Sequence, residues 1–138
     1  MRYLQILAVA IFFISCSKSV AVVEIKDKDL LIQATCQEGS SAEPDLEYKV
    51  RIYPELKYGE SVDKKVNEQM AYQIDSCFYK IRGVEKEFPE TVIPIPNGIK
   101  NCFEYLIVFP GKANDKEPNE LLYDSKYINA TTYKLIFK

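Results

Sequence analysis

Hydrophobic and polar residues alternate along several short stretches of the chain, which is the pattern of half-buried β-strands. In the clearest stretch, residues 47–53, the apolar Tyr48, Val50 and Ile52 are separated by two basic residues. Comparable stretches, each bounded by turn-forming residues, are 29–36, 91–95, 102–109 and 131–137, with a shorter one at 121–123. The pattern therefore predicts a protein that is mainly β.

After residues 47–53 the apolar period changes to four residues, which is typical of a helix. The apolar residues at this spacing are Val62, Val66, Met70, Ile74 and Phe78. Ser61 stands where an N-cap is expected, so the spacing predicts one helix over about residues 62–76. A single helix inserted among short strands that are joined by polar turns favours a small β-sandwich over residues 29–138.

The first fifteen residues have the pattern of an export signal. Arg2 precedes nine apolar residues, 6–14, and this run is too short to cross a bilayer, which needs ~20. Residues 13–16 (Phe-Ile-Ser-Cys) resemble the bacterial lipobox, in which cleavage leaves a cysteine that carries diacylglycerol. We therefore expect residues 1–15 to be a lipoprotein signal peptide.

Cleavage at this position makes Cys16 the lipid attachment site and leaves residues 16–28 as a lipidated tether. The acyl chains, palmitate among them, would hold the domain stably at a lipid bilayer. Ser17 follows the cysteine where, by resemblance to the Gram-negative sorting rule, an Asp would retain the protein at the inner membrane. We therefore expect a location at the outer membrane with the domain in the periplasm. The alternative is an ordinary secretory peptide that is cut near Ser17 or Ser19.

The composition narrows the possible functions. The chain has 138 residues, of which 47% are hydrophobic, as expected of one globular domain. Its formal net charge of −2 does not supply the basic surface that nucleic-acid binding requires, so we expect no nucleic-acid partner. It contains no histidine, the commonest general base and metal ligand. We expect no catalysis, metal, cofactor or small-molecule substrate.

Two sequence patterns with possible catalytic roles have simpler interpretations. Ser61 and Lys64 fit the S-x-x-K pattern of penicillin-binding enzymes, but capping of the helix also explains a serine at this position. Glu85 and Glu87 could supply a glycosidase-like carboxylate pair, but they stand in a charged stretch that is more typical of a solvated loop.

Three cysteines, Cys36, Cys77 and Cys102, remain after Cys16 is lipidated. An odd number in an oxidising compartment suggests one disulfide and one free thiol. Cys77 follows the predicted helix and Cys102 begins a predicted core strand, which makes them the favoured pair; bridges that include Cys36 stay open. Their spacing is not that of a zinc site, so we expect no metal.

Three stretches that follow the lipobox together resemble one family of envelope proteins. They are residues 50–56 (VRIYPEL), 93–96 (IPIP) and 103–109 (FEYLIVF). The chain is thereby similar to the TssJ family, the outer-membrane lipoproteins of type VI secretion systems. The resemblance implies a transthyretin-like β-sandwich that binds the periplasmic domain of the inner-membrane protein TssM and anchors it to the outer membrane.

In that family the partner is held largely by a loop between the first two strands, and residues 37–46 match it here. The partner-binding residues that the resemblance implies are Gln37, Glu38, Gly39, Ser40, Ser41, Ala42, Glu43 and Asp45. A solvated connector is the alternative interpretation of this loop. For the whole protein, the alternatives are a ligand-binding or inhibitory periplasmic lipoprotein of another envelope system, and an enzyme.

The lipobox interpretation predicts that Cys16→Ser abolishes labelling of the protein by radioactive palmitate and releases it from the outer-membrane fraction. The reason is that the apolar run before Cys16 is too short to act as an anchor by itself. A Cys16→Ser protein that is still labelled, or that still fractionates with the outer membrane, would contradict it.

Overall fold

Two antiparallel sheets form the protein in the computed structural model, which describes residues 20–39, 45–111 and 118–138. The described strands are β1 (Ala21–Lys26), β2 (Leu30–Glu38), β3 (Asp45–Pro54), β4 (Phe78–Arg82), β5 (Glu85–Glu87), β6 (Thr91–Pro94), β7 (Phe103–Pro110), β8 (Asn119–Asp124) and β9 (Thr132–Phe137). The predicted small β-sandwich with one inserted helix is confirmed. Its finer assignment as transthyretin-like stays a prediction.

The larger sheet has the strand order β1-β2-β3-β7-β6, and the smaller sheet has the order β5-β4-β8-β9. The longest ladder joins β2 and β3, from Leu30 opposite Pro54 to Glu38 opposite Leu46. Along one side of the sandwich β1 lies against β9. The edge strands of the two sheets therefore lie together along this side.

The core consists of side chains that alternate inward from both sheets, as the period of two requires. From β2 and β3 they are Leu30, Ile32, Ala34, Cys36, Leu46, Tyr48, Val50 and Ile52, and from β8 and β9 they are Leu121, Tyr123, Tyr133, Leu135 and Phe137. Aromatic rings join the sheets. Phe78 stacks on Tyr123 of its own sheet with ring centroids 5.0 Å apart, and it packs against Tyr105 of the larger sheet at 5.6 Å.

The helix α1 (Lys64–Tyr72) is shorter than the sequence predicts. Its N-cap is Asp63, whose side chain accepts a hydrogen bond from the Lys65 N–H at 2.8 Å, so the prediction of Ser61 as the cap is wrong. A carboxylate serves here because it both accepts from the free N–H groups and complements the positive end of the helix dipole. Beyond Gln73 the chain forms a short 3-10 turn, Asp75–Cys77.

The predicted tether, residues 16–28, is wrong for residues 21–26, which form β1. This strand lies at the edge of the larger sheet, with Ala21, Val23 and Ile25 packed against the core and the alternate residues exposed. Only the face of β1 that packs against the core needs apolar side chains, which explains the mixed composition of the segment.

Glu85 and Glu87, predicted to lie in a solvated loop, belong to a β-hairpin formed by β4 and β5. Arg82 pairs with Glu85, which leaves a two-residue turn. Its first residue, Gly83, has φ 65°, as a type II′ turn requires. The Glu87 carboxylate pairs with Arg82 at 3.3 Å, which is a structural role for one of the two candidate acids.

Within the described ranges no helix is long and apolar enough to cross a membrane.

The helix is joined to the larger sheet by a buried hydrogen bond, which gives a stability prediction. The Tyr105 hydroxyl donates to the Met70 carbonyl at 2.7 Å. Tyr105→Phe leaves that carbonyl without this donor, so we expect a loss of about 1–3 kcal/mol in the free energy of unfolding, measured by urea titration. Tyr58→Phe is the control, because Tyr58 is fully exposed. Equal losses in the two variants would contradict the assigned role.

Candidate functional site

The two ends of the sandwich differ, and the predicted partner-binding segment lies at one of them. We call the end where β2 leads into β3 the hairpin end; Cys36, Tyr48 and Asn119 lie at its base, where they contact one another. The opposite end, where β1 leads into β2 and β8 leads into β9, is called the cleft end.

Residues 37–46 form less of a loop than the sequence predicts. Gln37 and Glu38 belong to β2, Asp45 belongs to β3, and Leu46 is buried in the core. The Gly39 N–H donates to the Asp45 carbonyl at 2.7 Å and so extends the pairing by one step. The remaining predicted residues, Ser40, Ser41, Ala42 and Glu43, lie outside the described residues. Both flanks of the segment are therefore fixed by the β2–β3 ladder.

Beneath this segment four polar side chains from both sheets form a cluster. The Tyr48 hydroxyl and the Asn119 side-chain oxygen are hydrogen-bonded, and the Asn119 amide donates to the Cys36 sulfur at 3.2 Å. The Lys80 ammonium donates to the same Asn119 oxygen at 3.4 Å. The cluster therefore links β2 and β3 of the larger sheet to β4 and β8 of the smaller one.

The electrostatics of this cluster favour a structural role. Lys80 Nζ lies 5.0 Å from the ring centroids of both Tyr48 and Phe109, which stabilises a cation in an apolar setting. Burial lowers the pKa of Lys80, and burial raises the pKa of the Cys36 thiol despite the hydrogen bond from Asn119. A thiol with a raised pKa is a poor nucleophile at neutral pH, so Cys36 behaves as a small core residue.

The predicted disulfide between Cys77 and Cys102 is wrong, because all three described cysteines are free thiols. Cys77 is fully buried in the turn that leads into β4 of the smaller sheet. Cys102 precedes β7 of the larger sheet, and its sulfur accepts a hydrogen bond from Asn97 at 3.4 Å. The two cysteines thus lead into strands of different sheets, which sequence spacing does not reveal.

A cleft of about 270 Å³ opens at the cleft end. Its lining includes Ser61, Asp63 and Tyr127. Lys64, the second residue of the S-x-x-K pattern, is exposed, and its ammonium lies 3.9 Å from Glu68. The Lys64 ammonium thus pairs with a carboxylate one turn along the helix, and Lys64 is not among the residues that line the cleft.

Hydrogen bonds centred on Asp27 hold the β1–β2 connection in place at the cleft end. The Tyr133 hydroxyl donates to one Asp27 oxygen at 2.6 Å, and the N–H groups of Asp29 and Leu30 donate to the other at 2.8 and 3.0 Å. These bonds, led by the one from Tyr133, lower the pKa of Asp27. Asn129 donates to Asp29 as well, at 3.0 Å. The connection between β1 and β2 is therefore held to β9 and to the loop before it.

An ion pair on the outer face of the larger sheet was not predicted from the sequence. Arg51 Nε lies 3.2 Å from the nearly buried carboxylate of Glu104, which also accepts from Asn97 at 3.0 Å. The hydrogen bond with Tyr53, followed by the charge of Glu104, raises the pKa of Arg51. Arg51 belongs to the stretch that resembles the TssJ family, and here it stabilises the β3–β7 pairing.

Comparison with protein-family models, curated proteins and solved structures gave no match. The likeness to the TssJ family therefore rests on the lipobox and on residues 50–56, 93–96 and 103–109. Within the described parts of the chain, no group of three or more Cys, Asp or Glu side chains is arranged to hold a metal ion.

The free thiols give a prediction that depends on pH. Burial raises the pKa of Cys77 from 9.0 to about 11. The stability that Cys77 contributes is therefore full below pH 9 and is lost as the pH rises toward 11, because only the unfolded thiol ionises in this window. Accordingly, Cys77→Ala should remove this part of the alkaline loss of stability, as measured by urea titration at several pH values.

Because the three cysteines are free, we expect three reactive thiols, at Cys36, Cys77 and Cys102, when the chain of residues 16–138 is denatured without a reductant. In this chain Cys16 is lipidated or replaced by Ser. In the native protein at pH 8, Cys77 should stay unmodified by iodoacetamide, as read by peptide mass spectrometry. A single reactive thiol in the denatured chain would restore the disulfide.

Proposed function

We propose that the protein is a lipid-anchored, periplasm-facing subunit of a type VI secretion membrane complex at the bacterial outer membrane. In this proposal Cys16 carries the lipid, and residues 37–46 bind the periplasmic domain of an inner-membrane TssM-like protein. The function is structural and involves no catalysis. The lipobox-like residues 13–16 and the family-like stretches of β3 and β7 support it.

The observation that supports the proposal is that the start of β1 and the ordered flanks of residues 37–46 lie at the same end of the domain. Ala21, the first residue of β1, pairs with Cys36, at the base of the hairpin end. Cys16 precedes Ala21 by five residues, and five Cα–Cα steps span at most about 18 Å. The lipid would therefore lie beside the hairpin end, and a partner that binds residues 37–46 would be brought to the membrane surface.

The strand count changes how the family loop is matched to this chain. Because β1 precedes the predicted strands, residues 37–46 join the second and third strands of the structure. The connection between the first two strands is short and is closed by the hydrogen bonds of Asp27. We assign the loop by its position directly before the family-like residues 50–53 of β3, and this criterion selects residues 37–46.

The form of the ladder indicates how such a segment would bind. Glu38 and Gln37 are exposed at the end of β2, and Gln37 also donates to Glu47 across the strands at 3.4 Å. Exposed charge pairs contribute under ~1 kcal/mol each and act mostly on the association rate. The affinity would therefore come from backbone and small side chains of residues 39–42, with the acidic residues guiding the approach.

A ligand-binding lipoprotein is the second candidate, and the cleft of about 270 Å³ favours it. The sequence led us to expect a cavity lined by several tyrosines for this function. Tyr48, Tyr105 and Tyr123 instead pack in the core against other aromatic rings, and of the tyrosines that the structure describes only Tyr127 lines the cleft. A small molecule that co-purifies with the wild-type protein, and is lost when Tyr127 is replaced by Ala, would support this candidate.

The proposal predicts that replacing Ser40, Ser41 and Ala42 by tyrosines weakens binding to the TssM periplasmic domain at least tenfold, which corresponds to about 1.4 kcal/mol. Gly39 is kept, because its N–H belongs to the ladder. The dissociation constant is measured by calorimetry with the Cys16→Ser chain of residues 16–138, and the melting temperature should not change.

A matched pair of charge reversals supplies the control. Glu38→Lys, at the hairpin end, should slow association at low salt. Glu55→Lys, which changes an exposed residue just beyond β3 at the cleft end, should not. Equal affinities of the wild-type and tyrosine variants would exclude this loop from the interface, and no binding by either would exclude the secretion function.

A further inference from the structure

The hairpin of β4 and β5 exposes apolar side chains that the core does not use. Val84 in its turn is 99% exposed, and Ile81 and Phe88 are half exposed. Single exposed apolar residues are ordinary, but three on one protruding hairpin form a patch.

The backbone of the turn makes the exposure of Val84 a fixed property of the hairpin. Arg82 and Glu85 close the ladder, and Gly83 takes the positive φ of 65° that a type II′ turn needs at its first central residue. Val84 is the second central residue of a two-residue turn, so its side chain projects away from the sheet. The tip therefore presents an apolar side chain to its surroundings.

The position of this tip follows from the contacts of Lys80. Its ammonium lies over Tyr48 and Phe109 and bonds to Asn119, so Lys80 is at the base of the hairpin end. From Phe78, which stacks on Tyr123, β4 runs through Lys80 and continues outward to Gly83. Val84 thus lies at the end of the sandwich from which the chain leads back to Cys16.

The charges of the hairpin largely neutralise one another. Arg82 pairs with Glu87 at 3.3 Å, and the Lys86 ammonium lies 4.4 Å from the ring centroid of Tyr79. Glu85 balances the charge of Lys86. A neutral tip with an apolar point fits the interfacial region of a bilayer, where apolar side chains are buried beside polar headgroups.

We propose that the β4–β5 tip inserts Val84 into the membrane that carries the Cys16 lipid, with Ile81 and Phe88 at the headgroup level, and so holds the β4–β5 side of the hairpin end at the bilayer. The inference rests on the proposed lipid anchoring. A lipid surface is the occupant because the link from Cys16 to β1 spans at most about 18 Å, which keeps this end at the bilayer whenever the anchor is inserted.

A single tryptophan tests this contact, because the chain contains none. Val84→Trp is compared with Tyr58→Trp, which labels a fully exposed residue in the turn after β3 at the cleft end. Each variant of residues 17–138 carries an N-terminal hexahistidine tag, which attaches it to phosphatidylethanolamine–phosphatidylglycerol vesicles through a nickel-chelating lipid. Melting temperatures equal to that of the wild-type protein show that both variants fold.

On vesicles we expect the tryptophan emission of the Val84→Trp variant to move to shorter wavelength and to be quenched by lipids with brominated acyl chains. The emission of the Tyr58→Trp variant should stay unchanged. Because the patch is neutral, omission of phosphatidylglycerol should leave the shift in place.

Emission of the Val84→Trp variant that stays as in water, or equal quenching of the two variants, would overturn the inference. The tag supplies the anchor, so this result does not depend on whether Cys16 is lipidated in the cell, which palmitate labelling decides separately.

Discussion

The packing of Tyr48 between the two sheets is the interaction on which the hairpin end depends. Its ring contacts Phe109 of the larger sheet and Phe137 of the smaller one, with centroids 5.8 and 5.2 Å away, and its hydroxyl bonds to Asn119. Lys80 lies over the same ring. One side chain thereby fixes the separation of the sheets where the β2–β3 ladder ends, and it also fixes the base of the β4–β5 hairpin.

The strands that the sequence predicts are apolar or alternating stretches bounded by turn-forming residues, and they include the edge strands β6 and β9 as well as β3 and β7. The sequence predicts a tether in place of β1, because the segment is short and the exposed Val22 interrupts its alternation of apolar and polar residues. β4 was hidden by the helical spacing, since Phe78 continues the period of four although it already lies in a strand. The observed helix cap is Asp63 and the predicted one is Ser61, because two capping residues stand close together and local geometry decides between them.

The site was less predictable than the fold, because it depends on distances between strands that are remote in sequence. The cluster of Cys36, Tyr48, Lys80 and Asn119 joins residues from four strands, and no spacing along the chain indicates it. The error about the disulfide has the same origin, since spacing along the chain does not give the distance between the sulfurs of Cys77 and Cys102. The lipobox-like segment and the acidic residues of 37–46 are local patterns that the sequence alone supplies, and their roles stay predictions.

The central claim is that the hairpin end faces the membrane, and paramagnetic broadening of amide signals tests it most directly. The ¹⁵N-labelled protein, anchored through its N-terminus to lipid nanodiscs that contain nitroxide-labelled lipid, should show broadened amides at residues 21–22, 37–39 and 82–85. Amides at residues 27–29, 57–59 and 125–130, at the cleft end, should stay sharp. Broadening at the cleft end, or equal broadening at both ends, would contradict the account.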